Sequence, residues 1–296
     1  MNILACDIGG TTIKLGLCNS LGEIIEYKEY ATEAFKGGMY IIEQVMDYMS
    51  DYDGYEAIGI STAGQVSPLD GSILYANPNI PNYTGVRLKD ILEDRFDKPV
   101  KVENDVNAAA LGEAWIGAGR SFADFICLTF GTGIGGAIVM QGEIYKGMNG
   151  TAGEFGHMVM YPITDTDAKW DSMYEKFAST KVLVQKAQAI DPKIINGKML
   201  FSRIDEGEEE LLSLLGKWEQ EVSRGVATLI HIFNPPAVIV GGGIMEQSWL
   251  VERIGISTRE ILLDSFQHTP ILPAELGNKA ALIGAASLYH RYSESE

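Results

Sequence analysis

Cysteine is scarce in this chain. Cys6, Cys18 and Cys127 are the whole complement, an odd number with two of them inside apolar runs, so a disulfide framework is not expected. No run of 18 apolar residues occurs, and no membrane span is expected. Positive charge is in deficit: 23 Lys and Arg against 40 Asp and Glu leave a net charge of −17. That balance argues against nonspecific binding to nucleic acid or to an anionic membrane. It still admits an anionic nucleotide held by backbone amides, lysines and magnesium. Met1 to Leu4 run directly into an apolar strand without a basic stretch and a signal core, so a cytoplasmic location is expected. The segment G-x-x-x-x-G-K-[ST] is absent, which excludes a P-loop ATPase.

What the chain does have is glycine, arranged in two matched turns. Ile3 to Ile8 is apolar apart from Asp7, meets Gly9-Gly10-Thr11-Thr12 and leaves through Ile13 to Leu17. Phe125 to Phe130 meets Gly131-Thr132-Gly133 and leaves through Ile134 to Met140. Each reads as strand, tight turn and strand. Glycine there lets the backbone approach closely, so that amides and threonine hydroxyls can surround an anion. Two such hairpins, 122 residues apart, suggest a duplicated fold that closes on one phosphate-bearing ligand.

The remaining pattern interleaves helices with strands. Residues 1–30 read as three strands, Gly38 to Ser50 as a helix, and Ala57 to Ile60 as a buried strand leading into Ser61-Thr62-Ala63-Gly64-Gln65. Ser67 to Gly85, with three prolines, reads as an ordered loop. A helix is expected over Val86 to Phe96, a strand over Val100 to Glu103 and a helix from Asn104 or Asp105 to Trp115. In the second half helices are expected over Ala168 to Ala189, Glu206 to Phe233 and Ala280 to Tyr292, and a strand over Ala237 to Val240. This is an α/β class.

Three segments carry chemistry. Glu103-Asn104-Asp105-Val106-Asn107 lies where a strand ends and a helix begins; Asn104 or Asp105 can serve as a helix cap, and a carboxylate there can also serve as a base. Gly153-Glu154-Phe155-Gly156-His157 sets an acid and an imidazole three residues apart and is not a zinc-binding helix. Gly131 to Gly136 matches G-x-G-x-x-G, but a strand rather than a helix follows, so the dinucleotide reading fails.

Together with Gly241-Gly242-Gly243, the motifs from Asp7-Ile8-Gly9-Gly10-Thr11-Thr12 and Glu103-to-Glu113 onward resemble, in order and spacing, the signatures of the ROK sugar kinases. The resemblance spans essentially the whole chain. It implies an actin-like (ribonuclease H-like) two-domain ATPase fold with a central cleft. The small domain would be 1–115, completed by the C-terminal helix 280–296, and the large domain 116–279. It implies that Gly9, Gly10, Thr11, Thr12, Thr132, Gly133, Gly241, Gly242 and Gly243 surround ATP, with Asp7 organising Mg2+ through water. Asp105 would be the general base. Gly64, Asn79, Asn104, Glu154, His157 and Glu175 would line the sugar site.

One departure bears on metal and substrate. Many members carry a cysteine cluster after the glutamate–histidine motif that binds structural zinc. Met158 to Asp171 contain no cysteine, so no zinc is expected. Trp170, Tyr174 and Phe177, at i, i+4 and i+7, are expected to form an aromatic stripe in its place. A zinc-free loop resembles that of the β-glucoside kinases, which makes a β-glucoside such as cellobiose the leading substrate, phosphorylated at C6. N-acetylmannosamine kinase and glucokinase or hexokinase are the alternatives, and a non-catalytic sugar-sensing regulator is the alternative of a different class. A DNA-binding repressor is disfavoured by the charge and by the strand that begins at residue 2 or 3. A homodimer is the family expectation.

Overall fold

The structure is a computed structural model that describes residues 1–163 and 170–290. Contacts divide the chain into two units. The first comprises Met1–Ala123, Ile138–Ala152 and the segment from Asn278 onward; the second comprises Asp124–Ala137 and Gly153–Gly277.

The first unit is built on β1 (Ile3–Ile8), β2 (Thr12–Cys18), β3 (Ile24–Ala31), β4 (Ala57–Thr62) and β7 (Val100–Asn104), in the spatial order β3-β2-β1-β4-β7. β1, β2 and β3 are antiparallel neighbours; β1, β4 and β7 run parallel. Between β4 and β7 lie a small hairpin, β5 (Gln65–Val66) with β6 (Ile73–Tyr75), and helix α2 (Leu88–Phe96). The proline-rich segment expected to be pure loop thus carries one short strand. Its backbone polar groups find partners there that water would otherwise supply.

Alternation along β1 serves both faces of this sheet. Leu4, Cys6 and Ile8 enter one core with Ile41, Ile42, Val45 and Met49 of helix α1 (Gly38–Met49). Ile3 and Ala5 enter a second core with Leu282, Ala285 and Ala286. These last three belong to the C-terminal helix (Ala280–Ser287), which packs very tightly. A Cβ on Gly284 would lie 1.6 Å from the carbonyl oxygen of Ala108, in helix α3 (Asp105–Ile116). A Cβ on Gly59 in β4 would lie 2.0 Å from the carbonyl oxygen of Ala285. The expected final helix ends earlier than Tyr292, at Ser287, with turn as far as Tyr289; residues 291–296 lie outside the described residues.

The second sheet has the order β10-β9-β8-β11-β12, from β8 (Phe125–Phe130), β9 (Ile134–Met140), β10 (Glu143–Ile144), β11 (Val238–Gly241) and β12 (Ile271–Pro273). Numbered along each half, both sheets run third-second-first-fourth-fifth, so the topology is duplicated. The sequence reading assigned no element to β12 or to helices α6 (Gly197–Asp205) and α8 (Ser248–Arg259). β12 has three residues and ends in Pro273, which is tolerated because it is an edge strand.

The helix expected over Ala168 to Ala189 is two. Its first residues, 168 and 169, lie outside the described residues; the observed pieces are α4 (Glu175–Ala178) and α5 (Thr180–Ile190). Ser179 breaks them: it is extended (φ −71°, ψ 152°) and its hydroxyl accepts the N–H of Val182 (3.4 Å) as the N-cap of α5. The aromatic stripe therefore does not lie on one helix. Tyr174 is fully buried against helix α7 (Glu209–Phe233), where its hydroxyl donates to the Val222 carbonyl (2.7 Å). Trp170 is 48% exposed and stacks edge-on to His157, and Phe177 packs on Tyr161.

Gly284→Ala and Gly59→Ala should each cost about 1–3 kcal/mol or more, because the obstacle in both is backbone and cannot rotate away. Urea unfolding measures this. A midpoint unmoved in both variants would show that these helix contacts are looser than described.

Candidate active site

Strand register builds the centre of the first unit. Across one row, Glu29 of β3 pairs with Lys14 of β2, Lys14 with Asp7 of β1, Asp7 with Ser61 of β4, and Ser61 with Glu103 of β7. Directly opposed residues on a sheet lie close enough for their side chains to interact. Lys14 Nζ accordingly donates to Asp7 Oδ2 (3.0 Å) and Ser61 Oγ to Asp7 Oδ1 (2.8 Å). Asp7 is 5% exposed, so both carboxylate oxygens are held inside the protein by a cation and a hydroxyl.

One row further, Thr62 pairs with Asn104, where β7 gives way to α3. Asn104 is the N-cap: Oδ1 accepts the N–H groups of Val106 (2.9 Å) and Asn107 (3.1 Å). Its Nδ2 donates to the Gly64 carbonyl (2.9 Å) and to Asp105 Oδ1 (2.9 Å). Two donors and two acceptor sites are thereby committed, which exhausts the capacity of an amide side chain. The one amide therefore caps α3 and also bonds Asp105 and the Gly64 carbonyl.

Asp105 opens α3, half-buried, with Oδ1 held by the Val106 N–H (2.9 Å) and by Asn104. Burial pushes its carboxyl up to about 6, and the nearby charge of Asp7 pushes the same way; the hydrogen bonds from Val106 and Asn104 oppose them. Such a group is mostly ionised at neutral pH yet basic enough to take a proton.

The turn Gly9–Thr12, with Lys14, Glu29 and Asn278, lines a cavity of about 310 Å³. Thr32 braces it: its hydroxyl donates to the Gly9 carbonyl (2.7 Å) and its N–H to the Thr11 carbonyl (3.0 Å). A Cβ on Gly10 would meet open space, so the backbone there is accessible to a ligand. Accessible amides beside a lysine suit a phosphate chain. Among the described residues no cluster of three or more His, Cys, Asp or Glu could hold a metal ion. The residues present would therefore fit Mg2+ only through a single carboxylate completed by waters and phosphates, and Asp7, the residue expected for that part, already engages Lys14 and Ser61.

The second unit brings together the other expected residues. The turn Gly131–Gly133 is closed by the Gly131 N–H on the Gly133 carbonyl (3.0 Å). A Cβ on Gly133 would lie 2.5 Å from Glu175 Oε2, so this carboxylate lies over the turn. A Cβ on Gly136 would strike the Phe155 ring (2.2 Å) and the Gly153 carbonyl (2.5 Å). The apparent dinucleotide fingerprint is thus glycine-rich because the Gly153–His157 segment backs onto it. Within that segment His157 Nδ1 lies 3.5 Å from Glu154 Oε2, both side chains nearly half exposed. Gly242, at φ 104°, follows β11 and leaves no room for a Cβ, which would sit 2.2 Å from the Phe130 carbonyl; Thr132 and Gly241–Gly243 therefore gather at the same strand ends.

Asn79 sits on an exposed turn, its N–H held by Asn77 Oδ1 (3.1 Å), and takes no part in the bonds joining Gly64, Asn104 and Asp105. Sequence reasoning missed Lys14, Ser61, Glu103 and Lys146. Lys14 had a signal: a four-residue turn from Gly9 to Thr12 sets Ile13 opposite Ile8 and Lys14 opposite Asp7. Lys146 had none, because its partner is 43 residues away.

A family model described as the ROK family matches residues 3–292. A β-glucoside kinase of Klebsiella pneumoniae is 32% identical over 299 residues, covering 98% of this chain and 96% of its own. A glucokinase of Thermotoga maritima is 32% identical over 311 residues, covering 97% of each. The crystal structure of a ROK family glucokinase from Streptomyces griseus, in complex with glucose and AMPPNP, superposes with a TM-score of 0.85 at 32% identity, over 97% of this chain and 99% of that one. The fold is the actin-like ATPase fold, with a five-stranded sheet in each mixed α/β domain.

Asp105→Asn should raise stability at pH 8 by about 1–2 kcal/mol, discounted from the full shift because the group is only half-buried. The sign follows from the raised pKa. The ionised acid is the costly form above pH 6, and the gain fades as both states of the wild type become protonated below about pH 4. Urea unfolding at pH 8 and pH 4 reads it, and a variant less stable than wild type at pH 8 contradicts it.

Proposed function

The chain belongs to the ROK family and is a sugar kinase of that family, and from this premise we propose that it transfers the γ-phosphoryl group of ATP to the C6 hydroxyl of a β-glucoside such as cellobiose. The observation that carries the reading is Asp105, a carboxylate at the carboxyl end of a parallel strand, oriented through Oδ1 and brought by its surroundings to about 6. Asp105 Oδ2 accepts the proton of the sugar hydroxyl as that oxygen attacks the γ-phosphorus in line and ADP departs. The Gly9–Thr12 turn, Thr132, Gly133 and Gly241–Gly243 hold the nucleotide, and Lys14 lies on the same cavity as the first turn. Mg2+ bound with the nucleotide would neutralise charge on the phosphates, and Asp7 would hold it through water.

Glu154, His157 and Glu175 bind sugar hydroxyls, and Gly64 and Asn79 line the site. Asn104, with its amide already committed, contributes by fixing Asp105. The reading includes no structural zinc, since Met158 to Asp171 hold no cysteine and His157 instead contacts Glu154 and Trp170. Metal analysis of the purified protein tests that part directly. A cytoplasmic homodimer completes the proposal.

The second reading is glucokinase, favoured by a relative of equal identity and by the glucose complex of the Streptomyces griseus structure. ADP release with magnesium-ATP decides between them on a panel of glucose, mannose, N-acetylmannosamine, cellobiose and an aryl β-glucoside. Preference for the β-glucosides supports the proposal, and preference for a free or N-acetylated hexose keeps the chemistry and replaces the substrate. Silence from folded, ATP-binding protein points to a sugar-sensing regulator.

Asp105→Asn should lower kcat by about 10²–10⁴. The wild-type kcat/KM should fall about tenfold per pH unit below pH 6, where Asp105 is protonated and cannot accept. Turnover that stays level from pH 7 to pH 5 removes Asp105 from the role of base.

A further inference from the structure

Glu103 precedes the base by two residues and is 4% exposed. Its Oε1 accepts two bonds, from the Asn104 N–H (2.9 Å) and from Asn107 Nδ2 (3.0 Å). Its Oε2 accepts from Lys146 Nζ at 2.7 Å. Lys146 comes from a distant part of the sequence, just after β10, and its side chain is 37% exposed while that of Glu103 is 5% exposed. The pair is therefore a buried carboxylate with a half-buried cation brought to it.

The bonds continue inward. Asn104, whose N–H rests on Glu103, orients Asp105 through Nδ2 and caps α3 through Oδ1. The order is Lys146, Glu103, Asn104, Asp105, with each member fixed by the one before it. A buried carboxylate that loses its cation must take up a proton or turn towards water. Either change disturbs the Oε1 acceptor on which the Asn104 N–H and the Asn107 amide depend.

We propose that Lys146 is a positioning residue for the phosphoryl-transfer step: by neutralising Glu103 it holds the Asn104–Asp105 segment in register for proton abstraction. The inference rests on the reading of Asp105 as the base. Lys146 touches neither sugar nor nucleotide in this account, so its loss changes the geometry of the base and not the affinity of either substrate. Displacement of a reacting group by about 1 Å costs on the order of 10²-fold in rate.

The test compares Lys146→Met, Lys146→Arg, Glu103→Gln and the double variant Glu103→Gln/Lys146→Met in the ADP-release assay, beside wild type and Asp105→Asn. Lys146→Met should lower kcat about 10- to 100-fold while the KM for sugar and for ATP each change less than about threefold. Lys146→Arg, which keeps a cation, should recover to within about threefold of wild type. Glu103→Gln keeps a carbonyl oxygen for the Asn104 N–H and no charge, so the double variant should be more active than Lys146→Met alone. This non-additivity separates positioning from loss of fold, because a purely structural lysine gives a double variant no better than the single one. If Lys146→Met does not fold, Glu103→Gln and its double variant decide: a folded, active double variant supports the proposal and an inactive one overturns it. An unchanged kcat in Lys146→Met, or equal losses in the Met and Arg variants, also overturns it. If wild type transfers no phosphoryl group, or Asp105→Asn is fully active, the functional reading itself fails and this inference falls with it.

Discussion

The register of the first sheet is the constraint on which the rest depends. Asp7 sits between Lys14 and Ser61 only because β2 pairs antiparallel and β4 pairs parallel to β1 in one specific alignment. A slip of one residue would turn every side chain of a strand to the other face. It would also take Asp7 from its lysine and hydroxyl, leaving a carboxylate at 5% exposure without compensation. The apolar alternation of β1 prevents that slip, since Leu4, Cys6 and Ile8 belong to one core and Ile3 and Ala5 to the other. Hydrophobic burial thus enforces the alignment that assembles the charges.

The charges so assembled are in tension. The charge of Asp7 disfavours ionisation of Asp105, in the same direction as burial, which is the larger cause. The fold does not relieve this by neutralising Asp105. It sends Lys14 to Asp7 and Lys146 to Glu103, while among the described residues Asp105 receives neutral donors, the Val106 N–H and the Asn104 amide. Burial and one like charge raise its proton affinity against the pull of those neutral donors, whereas an acid paired with lysine would lose that rise. Burial first, and then the placing of both lysines elsewhere, leaves Asp105 with its raised proton affinity, at some cost to stability.

Much of this was legible in the sequence where interactions are local. The strand–turn–strand patterns at Gly9–Thr12 and Gly131–Gly133, the cap at Asn104 and the amphipathic helix over Gly38–Met49 depend on residues a few positions apart, and periodicity reports them. Partnerships across the chain were not legible. Nothing near Lys146 announces Glu103, and nothing near Gly133 announces that Glu175 will lie over it. The aromatic stripe failed for the opposite reason. Its helical spacing is present, but Ser179 caps a new helix and the segment before Glu175 turns, so the three rings go to three different partners. For Asn104, Glu154, His157 and Glu175 the resemblance supplied roles that the residues alone left open between capping, structure and binding.

The duplicated topology sharpens the contrast between the two halves. In each sheet the first strand ends in a glycine turn and runs parallel to the fourth. Two residues before the first turn glycine stands Asp7 in one sheet and Thr129 in the other; opposite them stand Ser61 and Gly241. The same backbone position therefore offers a carboxylate with a hydroxyl in the first unit and a hydroxyl with a bare glycine in the second. Glycine at 241 continues into Gly242, which has no space for a side chain beside the Phe130 carbonyl, so backbone is what this end presents. The first unit thus places a charge at this position, and the second places a hydroxyl beside exposed backbone.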